Sequence, residues 1–162
     1  MKPFEFSHIY VIESLRPDDY KTGTELFNDV IMPNMMKRGL EKNCELFEIS
    51  SKVDFLQTLE IIRQKEIFQD VNPIIHFEMH GDKNGLQFTN NETISWAELQ
   101  YYLIQLNGIC GNNLFITMAS CNGGYIFKAI NPASCSPFWG FVGPFETVSN
   151  GDIIENLSLI HI

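Results

Sequence analysis

Five short apolar runs alternate with segments whose apolar residues recur at helical spacing, and this alternation constrains the fold more than anything else in the chain. The runs are FSHIYVIES (6–14), CELFEIS (44–50), PIIHFEM (73–79), NLFITMAS (113–120) and PFWGFVGP (137–144), rich in β-branched and aromatic residues. Between the first two, Leu26, Phe27, Val30, Ile31 and Met35 form a helical stripe; Pro33 should kink or restart that helix and Gly39 should end it. Val53, Phe55, Leu56, Leu59, Ile62 and Ile67 make the stripe of a second helix over 52–68, capped by Ser50 or Ser51. Ser95-x-x-Glu98 is a capping-box pattern that opens a third helix, running to about Leu106. A short helix over 125–130 and a last one starting at Ser149 or Asn150 complete the series. Segments 85–88 and 92–95, joined by Thr89-Asn90-Asn91, read as a small hairpin outside the main sheet.

Strands that alternate with helices need crossover connections, so the expected fold is an α/β sandwich with a mainly parallel sheet. The apolar content of the fifth run suits a strand buried on both faces. The 162 residues suffice for one domain with a filled core, and no linker, repeat or low-complexity stretch divides them. Thirteen Phe fit that picture.

Charge removes several function classes. The chain carries a formal net charge of −9, with acidic residues in excess in both halves and only Lys83 and Lys128 as cations beyond residue 81. An acidic surface without a basic patch argues against nucleic acid or an anionic membrane as partner. No apolar run reaches the roughly 18 residues of a membrane span, and Glu5, His8 and Glu13 interrupt any signal-peptide core. Cys44, Cys110, Cys121 and Cys135 show neither CxxC nor Cys/His spacing for zinc, so reduced thiols, a cytoplasmic location and no metal are expected. No glycine loop for phosphate is present, and no cofactor is expected.

Chemistry in an open parallel sheet sits beyond the carboxyl ends of the strands. His80 follows the third run and Cys121 the fourth; on neighbouring strands they emerge at one edge within reach of each other. A thiol attacks as thiolate, and a nearby imidazole or helix N-terminus lowers its pKa. Gly81 leaves its N–H approachable, so the N–H groups of Gly81 and Cys121 can converge on a developing oxyanion. Gly123-Gly124 keep the turn after the thiol free of β-carbons. His76, His8, Cys44 and Cys110 read as structural, His161 as incidental, and Cys135 as a loop thiol.

A strand ending in HFEMHGD, a crossover helix and a strand ending in TMASCNGG together resemble the caspase-like cysteine peptidases, in particular the bacterial caspase-like and CHAT-type branch and the metacaspases. The likeness follows element order over about residues 6–157, and in sequence rests on those two motifs. It implies a three-layer caspase-like sandwich and a cysteine endopeptidase of a bacterial regulatory or defence system. His80 would be the general base, Cys121 the nucleophile, and Gly81 with Cys121 the oxyanion donors. The partners implied are a peptide or protein substrate and an activating protein. Ala119-Ser120-Cys121-Asn122-Gly123 departs from the Gln-Ala-Cys-x-Gly of true caspases. The family's sixth strand is also missing from the pattern, which implies a sheet completed differently or a domain truncated at its C-terminus. For the substrate side chain, Arg16 would suit an acidic residue, whereas Asp82, Glu146 and Asp152 favour a basic one, as metacaspase-type relatives would. Two rivals stand beside this reading: a non-catalytic caspase-like interaction or scaffold domain with an incomplete site, and a flavodoxin-like binding domain.

Overall fold

The computed structural model describes residues 6–69 and 72–147. Among these, strands β1 (His8–Ser14), β2 (Cys44–Glu48), β3 (Pro73–Gly81), β4 (Gly85–Gln87), β5 (Thr93–Ser95), β6 (Phe115–Met118) and β7 (Gly140–Val142) form one mixed, open sheet. Four α-helices accompany it: α1 (Thr22–Glu25), α2 (Met32–Lys37), α3 (Lys52–Gln69) and α4 (Trp96–Ile109). The fold is α/β. No helix among the described residues is long and apolar enough to cross a membrane.

Five strands run parallel in the spatial order β2-β1-β3-β6-β7. The chain leaves β1 towards β2 on one side and then fills β3, β6 and β7 on the other. The direction of winding therefore reverses between β1 and β3, the position where open α/β sheets form a crevice.

Side-chain alternation sorts the two faces. Tyr10, Ile12, Ile75, Phe77, Met79, Ile116 and Met118 meet Phe55, Leu59 and Ile62 of α3 and Leu99, Leu103 and Leu106 of α4. On the opposite face Ile9 and Val11 pack against Phe27, Ile31 and Met35. Over β3 and β6 that second face is polar. His76 shares hydrogen bonds with Thr117 (2.8 Å) and Glu78 (3.0 Å), and Thr22 donates to Glu78 (2.6 Å).

Local chemistry accounts for most element boundaries. Leu26–Ile31 is π-helical and runs directly into α2, whose first turn carries Pro33. The helix ends at Gly39 in a left-handed conformation (φ 70°), with Leu40 N–H bonded to Met35 (2.8 Å) and Gly39 N–H to Met36 (3.0 Å). Ser51 caps α3 through the Asp54 N–H (3.1 Å), and Ser95 caps α4 through the Glu98 N–H (3.2 Å).

Several expectations need correcting. The hairpin is no outsider: β4 pairs antiparallel with the end of β3, His80 opposite Gln87 and Gly81 opposite Leu86. Its apolar residues Leu86, Phe88 and Ile94 are buried in the main core, and this burial draws the hairpin onto the sheet. The stripe of α3 is narrower than its sequence spacing indicates, for Val53 and Ile67 face solvent. Helix α4 continues to Ile109, because Leu106 and Asn107 are still buried there. β7 covers three residues at one edge of the sheet, bounded by Gly143-Pro144, and Val142, like Trp139 just before it, is exposed. The short helix is a 3-10 stretch, Gly123–Ala129. The expected final helix, Asp152 and His161 lie outside the described residues.

Candidate active site

β3 and β6 are neighbours in register, with His76 opposite Thr117 and Phe77 opposite Met118. The ladder persists one step further through the Ala119 N–H, which bonds to Phe77 (3.0 Å). Glu78 and His80 on β3 then share a face with Ala119 and Cys121 on the chain leaving β6. These four, with Leu15, Asp18, Asp19, Tyr20, Thr22 and Met79, line one cavity of ≈ 220 Å³ at the switch point. The two residues singled out by their strand-end positions thus open onto the same space.

The turn that carries Cys121 is tightly built. Asn122 adopts the left-handed conformation (φ 58°), which Asn tolerates better than other side chains. Gly123 N–H closes on Ser120 (2.9 Å), Asn122 N–H reaches the Glu146 carbonyl (3.0 Å), and Gly124 N–H reaches the Pro144 carbonyl (2.7 Å). The Cys121 N–H has no acceptor among the described residues. Across from it, a Cβ at Gly81 would lie 3.0 Å from the Cys121 carbonyl oxygen and 3.2 Å from Ser120 Cβ. Only glycine lets the two turns approach this closely. Asp82 gives its N–H to Gly85 across the hairpin (3.0 Å), so strand alternation directs the Gly81 N–H away from β4, to the Cys121 side.

His80 has a partner that sequence reasoning did not find. Its Nε2 lies 2.7 Å from Asp19 Oδ2, in the loop between β1 and α1. The same oxygen accepts the Arg16 N–H (2.8 Å). Partial burial acts to raise the Asp19 carboxyl, but the hydrogen bonds from His80 and the Arg16 backbone, with the charges of both residues, hold it below its ordinary value. An ionised carboxylate only accepts, so Nε2 carries a proton, and whenever the imidazole is neutral its lone pair is on Nδ1. The loop sequence Arg16-Pro17-Asp18-Asp19 reads as a turn. The rule that drew attention to the ends of β3 and β6 applies equally to the end of β1, and it was the available signal.

The residues expected to contact substrate are placed differently. Arg16 and Asp82 line a second cleft of ≈ 510 Å³, running from His80 and Gly81 along the hairpin. The Arg16 guanidinium reaches Gln87 Oε1 at 3.4 Å. Asp82 Oδ1 is occupied by the N–H groups of Asn84 (2.6 Å) and Gly85 (3.1 Å), so it holds its own turn. Glu146 is exposed and lines neither cleft; its backbone carbonyl, and not its carboxylate, supports the site. Among the described residues, the acidic groups that face the cavity are Asp18, Asp19 and Glu78, none of which was singled out for substrate. Glu78 is committed to Thr22 and His76, which leaves Asp18 the more available.

The remaining thiols separate cleanly. Cys44 and Cys110 are buried, and burial, reinforced by the charge of Glu66, pushes the Cys110 thiol up to about 12. Cys135 is exposed and Cys121 half-buried at the cavity. Among the described residues no cluster of three His, Cys, Asp or Glu side chains is placed to hold a metal ion. Compared with known proteins, the chain matches no family model and no curated protein.

Proposed function

We propose that the chain is a caspase-like cysteine peptidase in which Cys121 is the nucleophile and His80 the general base. The observation that carries this reading is the shared cavity. Histidine and cysteine, from the ends of the third and fourth parallel strands, meet at the switch point with Gly81 packed against the cysteine turn. The same order, His-Gly after the third strand and Cys after the fourth, supports the caspase-like sandwich as the finer description of the fold. Order alone does not decide function, because flavodoxin-like folds share the arrangement of five parallel strands.

In the reaction, the Cys121 thiol proton passes to His80 as the sulfur attacks the peptide carbonyl carbon. The tetrahedral oxyanion is received by the N–H groups of Cys121 and Gly81. The C–N bond then breaks, the proton on His80 goes to the departing amine, and a thioester links the acyl group to Cys121. Water, deprotonated by His80, attacks the thioester and releases the acid and the thiol. Asp18 and Glu78 at the cavity wall support a basic substrate side chain over an acidic one.

The pH dependence of iodoacetamide labelling at each cysteine, located by peptide mass spectrometry, tests the site without a known substrate. Cys121 should label fast well below pH 8.5, the ordinary thiol value, and lose that advantage on His80→Ala. Equal labelling of Cys121 and Cys135 would sink the peptidase reading. One observation favours the scaffold alternative: among the described residues β7 has only three, with Val142 exposed, so it makes a short wall beside the cysteine turn. A scaffold domain predicts that Cys121 behaves as an ordinary thiol.

A further inference from the structure

The β1–α1 loop is built around one carboxylate. Asp19 Oδ2 accepts from the Arg16 N–H (2.8 Å), the Asp19 N–H closes on the Arg16 carbonyl (3.0 Å), and Lys21 Nζ ties the Leu15 and Arg16 carbonyls together. Just beyond, Thr22 Oγ1 donates to Glu78 on β3, and Thr24 donates to Glu13 on β1 through its N–H (2.9 Å) and hydroxyl (3.0 Å). Asp19 is therefore fixed by its own loop and by the start of α1, and its 2.7 Å contact with His80 is set in advance.

Folding does not account for this contact. The side chains are 41% (His80) and 28% (Asp19) exposed, and ion pairs open to solvent to this degree contribute little to stability. What the contact does is chemical: it assigns the imidazole proton to one nitrogen in a ring that shares its cavity with a thiol.

We propose that Asp19 is a positioning residue that makes the site an Asp19–His80–Cys121 triad, holding the His80 proton on Nε2 and leaving Nδ1 as the nitrogen that takes the thiol proton. The proposal rests on the peptidase reading and adds to it the residue that orients the base. The S–H proton moves from Cys121 to Nδ1, the imidazolium is stabilised by an Asp19 that stays ionised, and the proton leaves Nδ1 for the amine. Among the described residues, the other charged groups around His80 are Asp18 in the same loop, Glu78 on β3, Arg16, and Asp82 at the hairpin turn. None of them shares a hydrogen bond with the ring.

Two measurements on the intact chain test the triad. Nitrogen-15 NMR of labelled histidine should show His80 as the Nε2–H tautomer above its titration. His80 found as the Nδ1–H tautomer overturns the proposal whatever its variants do. Iodoacetamide labelling of Cys121 across pH should then slow about ten-fold at neutral pH in Asp19→Asn, equivalent to one unit in thiol acidity. Cys135 serves as the unchanged reference, and the melting temperature should stay close to wild type. Asp19→Glu should restore part of the rate, which a merely structural role would not predict. An unchanged profile in Asp19→Asn beside a collapsed one in His80→Ala refutes the triad and leaves the dyad standing. If His80→Ala changes nothing, dyad and triad fall together.

Discussion

Glu66, on α3, is buried, and among the described residues neither of its carboxylate oxygens has a hydrogen-bond partner. Burial pushes its carboxyl up to about 8, so the folded chain holds a proton there that the unfolded chain releases near 4.5. A folded value above the unfolded one contributes stability that is fully present below pH 4.5 and is lost as pH rises through about 8. Urea denaturation at pH 5 and pH 8 should show wild type losing up to a few kcal/mol, at about 1.4 kcal/mol per pH unit in that window. Glu66→Gln should flatten this dependence, and an equally steep loss in the variant would contradict the assignment. Single residues also show what a sequence can disclose about a site. That His80 and Cys121 open onto one cavity was legible because both follow the ends of strands, and those strands are adjacent in the sheet. Asp19 was not, because its meaning depends on a partner 61 positions away that local spacing does not register.

At the scale of elements, the strands and long helices were legible because their signals are local: a two-residue alternation, a helical stripe, Ser51 and Ser95 as caps. Where an element's fate depended on its surroundings, the sequence misled. Leu86, Phe88 and Ile94 marked the hairpin as apolar without saying which core would bury them. PFWGFVGP was apolar enough for a central strand and became an outer one. The contact between the turns after β3 and β6 belongs to this scale and yields a prediction. Gly81→Ala places a Cβ 3.0 Å from the Cys121 carbonyl oxygen, and backbone on both sides limits relief. The turns should part by a few tenths of an ångström, with a destabilisation of about 1–3 kcal/mol, the usual cost of overpacking. Cys121 labelling should slow while Cys135 labelling holds. Wild-type reactivity in Gly81→Ala would show that the approach of the two turns does not matter to the thiol.

For the molecule as a whole, net charge and cavity chemistry point the same way. A chain of charge −9 surrounds a cavity faced by Asp18, Asp19 and Glu78, and its focused negative potential raises the local concentration of cations. Cysteine-directed peptidyl chloromethyl ketones make this measurable, since they differ only in the side chain offered to the cavity. A lysyl or arginyl probe should inactivate Cys121 about ten-fold or more faster than an aspartyl probe at low salt, within the range by which electrostatic steering accelerates association. The part of that preference due to steering should shrink as the screening length falls from about 10 Å at 0.1 M to about 3 Å at 1 M salt. A preference that survives high salt would come from direct contact, and Asp18→Asn should then remove most of it. An aspartyl probe that reacts as fast as a lysyl one would refute the basic preference while leaving the dyad untouched. Fast iodoacetamide labelling with no reaction towards any peptidyl probe would separate the two questions most sharply. It would mean a thiol activated by His80 in a site whose walls do not hold a peptide, the state that a three-residue β7 beside the cysteine turn would produce.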